Sequence, residues 1–143
     1  PPEYVNDRRG DTNMAPRVLV VEDNPVNLEL VAALLESEGC GVIPAETADA
    51  SLRLAAEERP DLIVMDIQLP GMSGHDATRR LKADPATAGI PVVALTAHAM
   101  HGEEARAHEA GFDAFLTKPV DTHAFRAALH RFLGDPRERP AVR

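Results

Sequence analysis

Polar side chains that could act together on a metal ion or a phosphoryl group stand at the ends of four short apolar runs. Glu22 and Asp23 follow Val18–Val21, Asp66 follows Leu62–Met65, Thr96 follows Val92–Leu95, and Lys118 follows Ala114–Thr117. Two bare carboxylates about 4 Å apart repel each other by about 4 kcal/mol at an effective dielectric near 20. Three carboxylates brought together therefore require a cation or raised pKa values. Mg²⁺ prefers such oxygen ligands, and a lysine and a hydroxyl recognise a phosphoryl group.

The fold must bring these residues together, and the pattern of apolar runs predicts how. The runs are Val18–Val21, Gly41–Ala45, Leu62–Met65, Val92–Leu95 and Ala114–Thr117. Each run is followed by residues with helical spacing. Five strands that alternate strictly with five helices indicate a parallel sheet with helices on both faces.

The first predicted helix has the clearest start. Asn24 is a good N-cap, and Pro25 suits the first helical position. Val26, Leu30, Ala33 and Leu34 then recur at helical spacing up to Gly39.

Strand composition predicts the order of the strands. The first, third and fourth runs are continuously apolar, as expected of strands buried on both faces. The second run contains Pro44, which is tolerated mainly in an edge strand, and the fifth run is short and mixed. The order 2-1-3-4-5 of a flavodoxin-like α/β fold satisfies these conditions. Ligands of such sheets bind at the carboxyl ends of the strands, so Glu22, Asp23 and Asp66 should converge.

Composition excludes several classes of protein. The chain has 143 residues, a formal net charge of −8 and a single cysteine. The length favours one domain, and a lone cysteine, Cys40, fits a reducing compartment. No apolar run approaches a membrane span, and an acidic chain is a poor nonspecific binder of nucleic acid. We therefore expect a soluble, cytoplasmic domain that binds neither membrane nor nucleic acid directly.

Four segments resemble the receiver domains of two-component response regulators, and the resemblance spans Arg17 to Leu133. The segments are Val18–Asn24, Asp61–Gly74, Pro91–Thr96 and Gly111–Pro119.

The resemblance implies a metal-assisted phosphoacceptor site. Asp66 would accept a phosphoryl group from a phosphohistidine. Asp23 and Asp66 would bind Mg²⁺ directly, Glu22 would act through water, and the main-chain carbonyl of Gln68 would complete the protein ligands. Gln68 and His98 stand where this family adjusts the lifetime of the acyl phosphate.

The resemblance also implies phosphate contacts and a switch. Lys118, Thr96 and Ala97 would surround the phosphoryl group. Thr96 and the aromatic ring of Phe115 would form the switch, where the family often has tyrosine. Pro119 would follow a cis peptide bond, which X-Pro bonds adopt at modest cost.

The implied function is signalling rather than enzymatic turnover, with intrinsic self-phosphotransfer and autodephosphorylation. The partners would be a histidine kinase or histidine phosphotransfer protein, and a downstream protein that contacts the fourth helix, fifth strand and fifth helix. A metal-dependent phosphatase on the same topology is an alternative, but Ile67-Gln68 stand where it would want a second acid. A receiver that binds partners without phosphorylation is disfavoured because no core site residue is missing.

The domain boundaries follow from composition. We expect residues 1–16 to be a flexible tail or linker, 17–133 the receiver domain and 134–143 a second tail. The few residues after the last predicted helix are too short for an output domain, so we expect either a single-domain regulator or a receiver from a larger protein. The stretch Glu22–Asn27 resembles receivers attached to hybrid histidine kinases, which keeps the second alternative open. Met14 could be a natural start, or the first residues could join an upstream domain.

The histidines do not form a standard metal-ligand pattern. His98, His101 and His108 have no ligand spacing that we recognise, and they are expected to be solvated. His75, His123 and His130 are expected on exposed helix faces, and Cys40 is expected to be a small buried residue.

Overall fold

A computed structural model of the chain describes residues 15–97 and 101–134. Within these residues five strands alternate with five helices, as predicted. The strands are β1 (Arg17–Val21), β2 (Gly41–Ala45), β3 (Leu62–Asp66), β4 (Val92–Thr96) and β5 (Ala114–Thr117). The helices are α1 (Pro25–Ser37), α2 (Ala48–Glu58), α3 (Gly74–Ala83), α4 (Glu103–Ala110) and α5 (Thr122–Leu133).

The sheet is parallel throughout and has the order β2-β1-β3-β4-β5, which confirms the flavodoxin-like prediction. Pro44 is exposed on the edge strand β2, where its missing N–H is tolerated. The register pairs Asp66 with Leu95 and Thr96 with Thr117, so β3, β4 and β5 end at similar heights. Their carboxyl ends therefore meet at one end of the sheet.

Two apolar clusters cover the two faces of the sheet. Leu19, Ile63 and Ala94 point into the cluster that also contains residues of α2, α3 and α4. Val20 and Val64 point into the other cluster, which contains residues of α1 and α5. Strands β1, β3 and β4 are buried at every position, because helices cover them on both sides. This rigid centre positions the residues at the strand ends.

The apolar residues that mark α1 in the sequence are not all buried. Val26 is 73% exposed and Leu30 is 48% exposed, whereas Val31 and Leu35 are buried. The helix carries two apolar stripes, and periodicity alone does not show which of them meets the sheet. The exposed stripe begins next to the carboxyl end of β1.

The helix starts follow the capping rules closely. The side chain of Asn24 accepts hydrogen bonds from the N–H groups of Val26 and Asn27, and Pro25 opens the helix. Thr47, Ser73 and Asp121 cap α2, α3 and α5 in the same way, whereas α4 has no side-chain cap at Gly102. None of the described helices is long and apolar enough to cross a membrane.

Two histidines differ from the expectation of exposure. His75 is half-buried against Phe112, and the two rings are nearly perpendicular with their centroids 5.9 Å apart. His130 is half-buried beside Glu38, the residue that follows α1. Both lie where two helices pack together, which sequence spacing does not reveal. His101, His108 and His123 are exposed and Cys40 is buried as expected, and His98 lies outside the described residues.

Candidate functional site

The carboxyl ends of β1 and β3 bring three carboxylates together. One oxygen atom from each of Glu22, Asp23 and Asp66 lies within 4.8 Å of the others. β1 and β3 are neighbours in the sheet, which explains why residues 43 or more positions apart in the chain meet. Glu22 and Asp66 are buried, whereas Asp23 is exposed. Two carboxylates of the cluster are therefore shielded from solvent, and the third is open to it.

Lys118 supplies the positive charge of the site. Its Nζ atom donates to Glu22 Oε1 at 2.8 Å and to Asp66 Oδ2 at 2.9 Å. The lysine follows β5 and precedes Pro119, and the peptide bond between the two is cis. A side chain from the far edge of the sheet thus reaches the carboxylates of β1 and β3.

The buried groups shift one another's ionisation. Burial raises the pKa of Glu22, and the charge of Asp66 adds to this, against hydrogen bonds from Lys118 and the Asn24 N–H. Burial lowers the pKa of Lys118, but its hydrogen bonds to Glu22 and Asp66 and their charges outweigh it, so this pKa is raised. Lys118 is thus held charged. With every group ionised, three carboxylates and one ammonium leave a charge of about −2 for a cation to neutralise.

The loop between β3 and α3 holds Asp66 in place through its backbone. The N–H of Gln68 donates to Asp66 Oδ1 at 2.9 Å, and the N–H of Gly74 donates to the carbonyl of Ile67 at 3.1 Å. A Cβ atom at Gly74 would lie 2.5 Å from the carbonyl oxygen of Asp66. Only glycine fits this approach, and sequence reasoning did not assign Gly74 a role. The sequence feature that could have pointed to Gly74 is its place directly after the N-cap residue Ser73, at the start of α3.

Thr96 lies at the floor of the site, next to the end of β3. Thr96 is 0% exposed, and its hydroxyl accepts a hydrogen bond from Gln68 Nε2 at 3.2 Å. Ala97 follows as an exposed residue, so no bulky side chain covers the site from that position. Phe115 is half-buried and packs against the apolar cluster on the α2, α3 and α4 side, opposite Ala94 of β4.

The donor set fits a hard divalent cation. Carboxylate oxygens are the ligands that Mg²⁺ prefers, and Mg²⁺ typically takes one or two of them while keeping several waters. Two of the three carboxylates are buried, so their mutual repulsion is poorly screened and a divalent cation would relieve it. Among the described residues, this is the one group of three or more histidine, cysteine or acidic side chains arranged to hold a metal ion.

Comparisons with known proteins agree with this geometry. The family model of the response regulator receiver domain matches residues 18–130. The polar-differentiation response regulator DivK of Brucella anthropi is 43% identical over 122 residues, covering 85% of this chain and 99% of that protein.

Two solved structures are also similar. One is the receiver domain of the sensor histidine kinase PA1611 from Pseudomonas aeruginosa, with magnesium in its active site cleft. It has a TM-score of 0.78 and 35% identity, covering 85% of this chain and 99% of that one. The other is the receiver domain of Saccharomyces cerevisiae Ssk1 in a co-crystal with the histidine phosphotransfer protein Ypd1. The match has a TM-score of 0.74 and 27% identity, covering 82% of this chain and 88% of the matched one.

Proposed function

Because this chain belongs to the response regulator receiver domain family of two-component signalling, we propose that Asp66 accepts a phosphoryl group from a partner's phosphohistidine. The observation that carries this assignment is the position of Lys118, whose ammonium contacts both Asp66 and Glu22. A phosphoryl group attached to Asp66 would place its oxygens beside this cation. Hydrogen bonds from the N–H of Gln68 and from Lys118 hold the two carboxylate oxygens of Asp66 in place.

The proposed transfer conserves atoms and charge. A carboxylate oxygen of Asp66 attacks phosphorus, the bond between phosphorus and the partner's imidazole nitrogen breaks, and its electron pair returns to the ring. The product is an acyl phosphate on Asp66, which water later hydrolyses. Phosphoryl transfer depends mainly on positioning and charge neutralisation. Lys118 and the N–H of Gln68 orient Asp66, and Lys118 offsets the charge that the phosphoryl group brings.

Mg²⁺ would be held by Asp23 and Asp66, with Glu22 acting through water and the main-chain carbonyl of Gln68 as a further ligand. When bound, the ion supplies positive charge where the phosphoryl oxygens gather. Thr96, the backbone at Ala97 and Lys118 complete the proposed surroundings of the phosphoryl group.

The exposed stripe of α1 supports a docking place for the phosphohistidine partner. Val26 and Leu30 are the large apolar side chains that are exposed among the described residues. They lie one helical turn apart, and α1 begins two residues after Asp23. A partner helix seated on this stripe would bring its histidine over the acidic cluster. The downstream protein is proposed to contact α4, β5 and α5, with Thr96 and Phe115 reporting the state of Asp66.

Intact-mass spectrometry after treatment with acetyl phosphate and Mg²⁺ tests the assignment. We expect one acid-labile phosphoryl adduct on the wild-type chain and none on Asp66→Asn. Asp49→Asn is the matched control, because Asp49 is exposed in α2 and outside the site, so its adduct should persist. An adduct that survives in Asp66→Asn would overturn the assignment. No adduct on the wild-type chain would favour a receiver that binds partners without phosphorylation.

A further inference from the structure

Gln68 links two parts of the site through different atoms. Its main-chain N–H holds Asp66 Oδ1, and its side-chain amide contacts the hydroxyl of Thr96. Gln68 Nε2 donates to Thr96 Oγ1 at 3.2 Å, and Thr96 Oγ1 donates to Gln68 Oε1 at 3.4 Å. The side chain of Gln68 is exposed, whereas Thr96 is fully buried. An exposed amide therefore lies over a buried hydroxyl.

This contact competes with the proposed role of Thr96. A threonine hydroxyl has one hydrogen to donate. While that hydrogen is directed at Gln68 Oε1, it is not available to a phosphoryl oxygen on Asp66. The amide N–H of Gln68 also occupies an acceptor position of the same hydroxyl. In the orientation in which Thr96 donates to Gln68 Oε1, its hydroxyl must turn away from that oxygen before it can donate to the phosphoryl group.

We propose that the Gln68 side chain is a latch that holds Thr96 in the orientation of the unphosphorylated domain. The proposal deepens the proposed function and rests on Asp66 as the phosphoacceptor. Gln68 is in this view a positioning residue that sets the balance between the two orientations of Thr96. Its position in an exposed loop lets the amide move away without disturbing the core. The identity of the side chain at residue 68 would thus adjust how readily this domain switches.

The first test uses Gln68→Met, which keeps the length of the side chain and removes the amide. A net neutral hydrogen bond is worth about 0.5–1.5 kcal/mol, so its loss should tighten the binding of beryllofluoride, a phosphoryl mimic, by about 2- to 12-fold. Mg²⁺ affinity should stay unchanged, because residue 68 contributes only its main-chain carbonyl to the proposed metal site. Isothermal titration suits both measurements, since the chain has no tryptophan to report binding.

Glu36→Met is the matched control, because Glu36 is exposed in α1 and its change should leave both affinities unaltered. Unchanged or weaker beryllofluoride binding by Gln68→Met would overturn the latch. A parallel change in Mg²⁺ affinity would also overturn it, because it would show a disturbed loop rather than a released hydroxyl.

A second measurement tests the latch without any ligand. Three-bond couplings to the Thr96 methyl carbon report its χ1 rotamer in solution. Gln68→Met should redistribute the rotamers of Thr96 relative to the wild-type chain, and Glu36→Met should not. Identical couplings in Gln68→Met and the wild type would refute the latch. If the wild-type chain binds no beryllofluoride, the proposed function fails, and these couplings still decide whether Gln68 holds Thr96.

Discussion

Lys118 Nζ lies 2.9 Å from Asp66 Oδ2, although the two residues are 52 positions apart in the chain. The same ammonium lies 2.8 Å from Glu22 Oε1, so one cation contacts two buried carboxylates, one just after β1 and one at the end of β3. A buried ion pair of this kind is costly to break, because removing one partner leaves an uncompensated charge. Removal of the Lys118 charge should therefore change the affinity for Mg²⁺ and the affinity for a phosphoryl group in different ways.

Lys118→Met should affect the two ligands in opposite directions. Removing the Lys118 ammonium makes the acidic cluster more negative, so Mg²⁺ should bind more tightly. Beryllofluoride should bind about 12- to 160-fold more weakly, since a hydrogen bond to a charged group is worth about 1.5–3 kcal/mol. Titration of each ligand measures both effects.

Lys82→Met is the control for this change. Lys82 contacts Asp113 and the carbonyl of Ile90 at the amino end of the sheet. Its loss should lower stability and leave both affinities as they are. If Mg²⁺ bound more weakly to Lys118→Met, the electrostatic account of the site would be wrong.

Gly74→Ala should destabilise the fold and disturb the loop around Asp66. The added methyl carbon would lie 2.5 Å from the Asp66 carbonyl oxygen and 2.9 Å from Ile67 Cα, and both are backbone atoms that cannot step aside. Overpacking of this kind costs about 1–3 kcal/mol. Urea denaturation should show this loss, whereas Gly89→Ala, with nothing within 4 Å of the new carbon, should have little effect. Equal stabilities would show that the loop relaxes freely.

Glu22 should make Mg²⁺ binding depend on pH. Burial raises the pKa of Glu22, and the negative charge of Asp66 adds to the effect. As pH falls through this raised pKa, a proton occupies the carboxylate and competes with the cation. Mg²⁺ affinity should therefore fall with decreasing pH, and binding should release protons in that range.

Calorimetry in buffers of different ionisation enthalpy measures the released protons. Glu22→Gln should bind Mg²⁺ more weakly and should release fewer protons. Proton release that is the same in both proteins would assign the pH dependence to another group.

Glu38 should contribute stability that acid removes. Arg126 Nε donates to Glu38 Oε2 at 2.8 Å and joins α5 to the end of α1. This hydrogen bond lowers the pKa of Glu38 below its ordinary value. A carboxyl whose folded pKa is lowered stabilises the fold above its unfolded pKa, and the contribution disappears as pH falls through the folded pKa. A partly exposed pair is worth roughly 0.2–1 kcal/mol.

Comparison of the wild-type chain with Arg126→Gln measures this contribution. The difference in unfolding free energy should be present at neutral pH and should shrink in acid. Carboxyl ¹³C resonances should show the pKa of Glu38 rising in the variant. A stability difference that is the same at both pH values would rule out Glu38 as its source.

Much of the fold was predictable because it depends on local composition. Continuous apolar runs mark β1, β3 and β4 as buried strands, and Pro44 marks β2 as an edge. Neighbouring parallel strands then force residues at their carboxyl ends together, which is why Glu22, Asp23 and Asp66 could be grouped before any coordinates were known. The apolar composition of each run indicates whether its strand is buried on both faces, and a strand buried on both faces must lie inside the sheet.

The tertiary structure decided what depends on distances between segments far apart in the chain. It placed Val31 and Leu35 of α1 in the core and left Val26 and Leu30 exposed, because the rotation of a helix about its own axis decides which of two apolar stripes meets the sheet. His75 and His130 are half-buried where helices pack. Lys118 contacts two carboxylates, and the amide of Gln68 contacts the hydroxyl of Thr96. Residue types determined which chemistry was available, and side-chain geometry, which no local pattern encodes, determined which atoms meet.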